Sequence, residues 1–193
     1  MYNDDVHNLP KGFAAIEIAS KSIRFSMPSD LQTGALLQTL VGSKPKANVL
    51  EIGTGTGLAT AWLLAGMDAD SSLLSIDNEQ LYQSVADNIL GDDKRLSLLC
   101  TDAGQWLDDN LEQKFDLIFA DAWPGKYANL DAALGSLAVG GMYVIDDMMP
   151  QPNWPAGHED NVAKLVADLE SRPDLQLVKM AWSTGILIAT KRK

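Results

Sequence analysis

From residue 47 onward, short apolar runs alternate with amphipathic stretches. The runs at 47–52, 72–76, 95–100, 115–120 and 141–145 are nearly continuous in apolar residues, as in Phe115-Asp116-Leu117-Ile118-Phe119-Ala120. A strand apolar at successive positions is buried on both faces, which is the mark of a parallel sheet covered by helices. Between the runs, the spacing predicts helices over 57–66, 79–90 (stopped at Gly91), 103–110, 127–137 and 159–171. Two further strands, 175–181 and 185–190, are joined through Ser183-Thr184-Gly185, so the last strand runs antiparallel to its neighbour. Upstream, 12–22 is predicted helical with Phe13, Ile16 and Ala19 on one side. A second helix begins at Ser29 as N-cap, with Gln32 three residues on, and runs to about Val41 before Gly42 and Pro45. The chain is therefore predicted to be α/β: a Rossmann-like, seven-stranded, mostly parallel sheet with an antiparallel C-terminal hairpin strand and helices on both faces. Residues 1–45 form an N-terminal helical extension and 46–193 a ligand-binding domain.

In such a sheet, ligands sit outside the carboxyl ends of the strands. The first strand ends in Glu51 and then Gly53-Thr54-Gly55-Thr56-Gly57. Glycine lets a backbone approach a ligand closely, because no Cβ intervenes. A dinucleotide fingerprint wants G-x-G-x-x-G. Here the third glycine comes one residue early, and Leu58 stands where it would be. Glu51, two residues before the loop, suits an ammonium group and repels phosphate. The motif points away from NAD and toward S-adenosylmethionine. The next strands end in Asp77, Asp102, Asp121 and the pair Asp146-Asp147, so all five finish in carboxylates. Any one of these is expected as a turn or cap residue, and Asp102 could simply cap the helix that follows. Five at one edge concentrate like charge unless a ligand or metal offsets it. Asp77 lies about 20 residues after the loop, where an acidic side chain accepts ribose hydroxyls.

The chain has 193 residues and a net charge of −11. That length suits one domain with a short extension, and the charge disfavours nucleic acid or an anionic membrane as partner. The Lys191-Arg192-Lys193 run is expected as a solvated tail. The one cysteine, Cys100, is expected as a buried strand residue. No apolar run approaches membrane-spanning length, and a cytoplasmic protein is expected.

These motifs resemble the class I S-adenosylmethionine-dependent methyltransferases, in particular the small-molecule O-methyltransferases of the catechol and caffeoyl-CoA type. The resemblance spans about residues 28–190. It rests on Val49 to Gly57, on Ser75-Ile76-Asp77, on Phe115 to Ala122 with Tyr127 following, and on Gly140 to Asp147. It implies that Glu51 and the backbone of Gly53, Thr54, Gly55 and Gly57 hold the methionine end of the cofactor. It places the ribose at Asp77 with Asn78, the adenine at Asp102 and Ala103, and Asp121 beside both cofactor and acceptor. It also implies a divalent ion, Mg²⁺ or another, on Asp121, Asp146 and Asp147, which would polarise an acceptor hydroxyl.

The sequence departs from the family pattern at three points. The family's aromatic residue in the glycine loop is Gly55 here, its Gly-Tyr-Ser start to the helix is Gly57-Leu58-Ala59, and the lysine three residues after the first metal aspartate is Pro124. Lys126, two residues off register, is carried over as the candidate catalytic base alongside Asp121. The implied activity is O-methylation of a small-molecule acceptor, metal-assisted or metal-free. The alternatives are an aminopropyl transferase-like enzyme, for which the acidic crevice fits and the loop does not, and a cofactor-binding protein without turnover. The segment 150–157 carries three prolines and Trp154, and is either an acceptor lid or a surface loop. His158 is expected as a solvated or capping residue, Trp123 as a wall of the acceptor pocket, and Trp62, Trp106 and Trp182 as core. Residues 12–45 form either part of that pocket or a homodimer contact.

Overall fold

The strands of the computed structural model, which describes residues 3–152 and 154–193, are β1 (Asn48–Ile52), β2 (Ser72–Asp77), β3 (Leu96–Cys100), β4 (Phe115–Ala120), β5 (Leu137–Ile145), β6 (Leu175–Met180) and β7 (Ile186–Lys191). They form one sheet in the order β3-β2-β1-β4-β5-β7-β6. The pairs among β1 to β5 are parallel. The last strand is antiparallel, as its hairpin requires, but it does not lie at the edge. It slots between β5 and β6 and pairs antiparallel with both. The order reverses between β1 and β4, which opens a crevice at their carboxyl ends.

The helices are α1 (Phe13–Ser22), α2 (Leu31–Gly42), α3 (Leu58–Gly66), α4 (Gln80–Leu90), α5 (Ala103–Asp109), α6 (Leu130–Gly135) and α7 (His158–Ser171). Side chains of a strand alternate between faces, and the core divides accordingly. Val49, Leu117 and Phe119 pack with α1, α2, α3 and α4 through Phe13, Leu37, Trp62 and Val85. Leu50, Ile52, Ile118 and Ala120 pack on the other face with α5, α6 and α7 through Leu107, Leu134, Leu165 and Leu169. The helices α1 and α2 thus share one core with the sheet.

Several local expectations are revised. The cap of α2 is Asp30, whose carboxylate accepts from Thr33 N at 2.7 Å, and Ser29 is freed for another partner. The predicted 127–137 helix shrinks to α6, because three amides (Lys126, Tyr127 and Ala128) all donate to the Trp123 carbonyl in a tight turn. Cys100 is exposed, since β3 is an edge strand. Lys191 is no solvated tail: it ends β7 and donates to the carbonyls of Leu134 and Leu137. Trp62 is fully buried, while Trp106 and Trp182 are packed against the two cores. Among the described residues, no helix is long and apolar enough to cross a membrane.

Candidate functional site

A cavity of about 450 Å³ opens at the carboxyl ends of β1, β2 and β4. That size suits a small-molecule site. The glycine loop forms its floor. Gly53 N and Thr54 N both donate to Ile76 O, which folds the loop back over β2. Gly53 sits at φ 102°, and a Cβ there would lie 2.8 Å from the Asp121 carbonyl oxygen, so only glycine allows β1 and β4 to close at this point. Gly57 (φ 95°) precedes α3, and a Cβ there would lie 2.7 Å from the Ala86 Cβ, so its role is helix packing. It does not line the cavity, unlike Gly53, Thr54 and Gly55.

Asp77, Asn78, Asp102 and Ala103 line one end of the cavity. One Asp77 oxygen accepts from Gly55 N at 2.7 Å and the other from Glu79 N at 2.8 Å, so the carboxylate is fixed in place. Asp102 caps α5 by accepting from Gln105 N at 2.8 Å while still facing the cavity. Cap and site residue are here the same.

Glu51 is not brought to the cavity. It shares a strand face with Val49 and turns inward beneath the loop, fully buried. Its Oε2 accepts from Thr60 (2.6 Å) and from Ser75. The Ser75 hydroxyl in turn pairs with Thr54, and Thr54 accepts from Gln83 at 3.0 Å. Burial raises the Glu51 carboxyl to about 7, against the lowering effect of its two hydroxyl partners. Its Oε1 has no partner among the described residues. Glu51 thus braces the loop from below.

At the centre stand Asp121, Lys126 and Asp147, all lining the cavity. Asp146 is buried behind them and does not line it. The turn Trp123–Ala128 lies over Tyr143, whose hydroxyl donates to Gly125 O at 2.6 Å, and it directs Lys126 inward. The Lys126 Nζ is buried, 3.6 Å from Asp121 Oδ1, and donates to Asp146 O at 2.9 Å. Asp121 Oδ2 accepts from Ser29 at 3.3 Å. Asp146 Oδ1 accepts from Asp147 N at 2.7 Å and from the Thr184 hydroxyl. Burial pushes the Asp121 carboxyl well above the usual range, and Lys126 opposes this. Burial likewise raises Asp146 to about 6 and moves Asp147 upward.

This arrangement does not fit the divalent ion that the resemblance implies. Three of the oxygens that would ligate it are already engaged, Asp121 Oδ1 by the Lys126 ammonium, Asp121 Oδ2 by Ser29, and Asp146 Oδ1 by Thr184 and the Asp147 amide, and the buried Lys126 charge already offsets the carboxylates. Among the described residues, no group of three or more His, Cys, Asp or Glu side chains is placed to hold a metal ion.

The far end of the cavity is aromatic. Trp123, Tyr127, Trp154 and His158 line it. His158 contacts the other three rings edge-on, with centroids 5.6, 5.0 and 4.6 Å away for Trp123, Tyr127 and Trp154. His158 is buried, not solvated, and its Nδ1 and the Tyr127 hydroxyl have no partner among the described residues. Burial raises the Tyr127 phenol to about 12, so it stays a proton donor. Trp154 faces the cavity, so the 150–157 segment walls the site, although Asn153 within it lies outside the described residues.

Of residues 12–45, expected to form either part of the pocket or a dimer contact, a short stretch supplies the near wall, although the sequence singled out none of its residues as lining the pocket. Phe25, Met27, Pro28 and Ser29, from the link between α1 and α2, cover the glycine loop, and Phe25 packs edge-on against Tyr82 at 4.8 Å. Two large apolar side chains in a link without periodicity were the available signal, since such residues need a surface to cover.

The switch point of the sheet and a deep cavity beside a glycine loop define a small-ligand α/β protein of the doubly wound class. The chain belongs to the O-methyltransferase family, whose model matches residues 14–192. A protein of Mycolicibacterium vanbaalenii, provisionally named an O-methyltransferase, is 35% identical over 95 residues, 47% of this chain. The match spans only 42% of that relative's length. Solved structures share the fold at lower identity. TomG of Streptomyces achromogenes, an O-methyltransferase involved in tomaymycin synthesis and solved with S-adenosylmethionine, superposes with a TM-score of 0.81 at 21% identity, covering 96% of this chain and 92% of its own. The Bacillus cereus O-methyltransferase in complex with S-adenosylhomocysteine gives 0.82 at 19% identity, covering 97% and 94%.

Proposed function

We propose that the protein transfers a methyl group from S-adenosylmethionine to an oxygen of a small-molecule acceptor. One observation carries this reading. A single cavity runs from the fixed Asp77 carboxylate and the bare glycine loop, past Asp121, to an aromatic pocket with two unpartnered polar atoms. The residues fit the cofactor. Asp77 presents lone pairs to a ribose with its position already fixed by two amides. Asp102 and Ala103 flank the place for the adenine, and the backbone at Gly53, Thr54 and Gly55 admits close approach. When bound there, S-adenosylmethionine would supply an electrophilic methyl and leave as S-adenosylhomocysteine, with the acceptor's hydroxyl proton passing to the unpartnered His158 Nδ1 or to solvent.

The chain's own residues then position and desolvate. Trp123, Tyr127 and Trp154 wall off water and favour a planar or apolar acceptor. The Tyr127 hydroxyl and the His158 ring nitrogen offer hydrogen bonds to an acceptor oxygen. Holding two reactants in line is worth on the order of 7–11 kcal/mol of barrier. Family membership replaces the aminopropyl transferase alternative. Turnover separates an enzyme from a binding protein. The test is calorimetric binding of S-adenosylhomocysteine, followed by a screen of hydroxylated aromatic acceptors for methyl transfer. Micromolar binding that weakens in Asp77→Ala supports the reading. No binding overturns it.

A further inference from the structure

We infer that the Lys126 side chain is the resident cation of the Asp121–Asp146–Asp147 cluster, standing where the family pattern implies a divalent ion, and that no such ion binds there. The geometry is specific. The two extra residues between Asp121 and the lysine, compared with the family spacing, build the Trp123–Ala128 turn. That turn is pinned by the Tyr143 hydroxyl on Gly125 O, with the Tyr143 ring fully buried. It sends Lys126 into the interior, where its Nζ meets one carboxylate oxygen and one carbonyl oxygen of the cluster. The Asp121 oxygen that Lys126 leaves free accepts from Ser29, and Asp146 Oδ1 is doubly occupied by Asp147 N and Thr184.

A buried ammonium without compensating oxygens is strongly unfavourable, as is a set of buried carboxylates without a cation. Each answers the other here. A divalent ion entering this cluster would have to displace the Lys126 ammonium from its two oxygen partners. The consequence for the proposed activity, and resting on it, concerns the acceptor. An acceptor held by the aromatic pocket, without chelation to a metal, needs one nucleophilic oxygen and not two adjacent ones. Monohydroxylated acceptors are then competent.

The experiment is an electron paramagnetic resonance titration of Mn²⁺ into the full chain, with and without S-adenosylhomocysteine. The wild type is expected to show no saturable site into the millimolar range. Lys126→Met, which keeps the volume and removes the charge, is expected to gain a saturable Mn²⁺ site that Asp121→Asn then abolishes. A single Mn²⁺ site in the wild type, lost in Asp121→Asn, overturns the inference. A metal-free wild type with no gain in Lys126→Met also overturns it, since the carboxylates are then no latent cation site. Should Lys126→Met not fold, the lysine-selective NMR signal of the wild type decides. A slowly exchanging ammonium shifted by Asp121→Asn supports the assignment, and its absence overturns it. Calorimetry of S-adenosylhomocysteine on the same samples reports separately: its failure sinks the cofactor reading and leaves the cation assignment standing.

Discussion

Asp77 Oδ2 accepts the backbone N–H of Gly55 at 2.7 Å, tying the end of β2 to the glycine loop. The same carboxylate accepts Glu79 N, so it organises both the loop and the start of α4 before any ligand arrives. A hydrogen bond to a charged group contributes about 1.5–3 kcal/mol. Asp77→Ala is therefore expected to weaken S-adenosylhomocysteine roughly 10- to 100-fold by calorimetry, with the larger part in enthalpy. An affinity unchanged by this substitution would place the ribose elsewhere.

The contact between α2 and α3 leads to a second expectation. Gly34 faces the Trp62 indole, and a Cβ built on it would lie 2.2 Å from the ring. Trp62 is fully buried and packs edge-on against Phe13 at 5.9 Å, so the indole has no room to yield. Gly34→Ala is expected to destabilise the fold by about 1–3 kcal/mol in urea unfolding. Gly135, at the end of α6, has nothing within 4 Å of the same construction. Gly135→Ala is expected to be neutral or stabilising by up to about 1 kcal/mol. Equal effects at the two positions would contradict the packing described.

The strand-forming runs and their carboxyl-terminal acids were readable in the chain because two-sided burial demands continuous apolar residues. Phe115 to Ala120 and Val49 to Ile52 obey that demand, and Asp77 and Asp121 follow at the crevice edge. What escaped was decided by tertiary partners. Glu51 reads as a ligand group by its place before the loop, yet strand alternation turns it onto Thr60 and Ser75. Ser29 and Asp30 are equivalent capping residues by type, and only the proximity of Asp121 to Ser29 separates them. The position of Lys126 depends on a turn held by Tyr143, seventeen residues downstream, which no local pattern carries.

Glu51 makes stability depend on pH in a determinate direction. At low pH both folded and unfolded chains hold its proton, and nothing is lost. As pH rises through 4.5 the unfolded chain releases the proton, while the folded chain holds it to about 7. Folding stability therefore falls across that window, by on the order of 3 kcal/mol. Glu51→Gln has no proton to lose. Whatever its melting temperature relative to the wild type near pH 5, the difference should move in its favour by about 5–10 °C near pH 8. Parallel melting profiles for the two proteins would mean that Glu51 is ionised in the folded state throughout.

Trp154 and His158 separate acceptor recognition from cofactor binding. The indole meets the imidazole at 4.6 Å and lines the cavity together with Trp123 and Tyr127. Asp77, Asp102 and the glycine loop line the same cavity and make no hydrogen bond or ring contact with Trp154. An aromatic contact of this kind contributes about 0.5–1.5 kcal/mol beyond simple burial. Once an acceptor is in hand, Trp154→Ala should raise its KM by roughly 3- to 10-fold. S-adenosylhomocysteine binding, read by calorimetry, should stay within about twofold of the wild type, because the cofactor end keeps every partner. His158→Phe keeps the ring and removes the unpartnered Nδ1. If that nitrogen contacts the acceptor oxygen, kcat falls and its pH profile changes while KM moves little. A loss of cofactor affinity in Trp154→Ala would instead place the 150–157 segment over the cofactor, and the aromatic end would no longer define the acceptor.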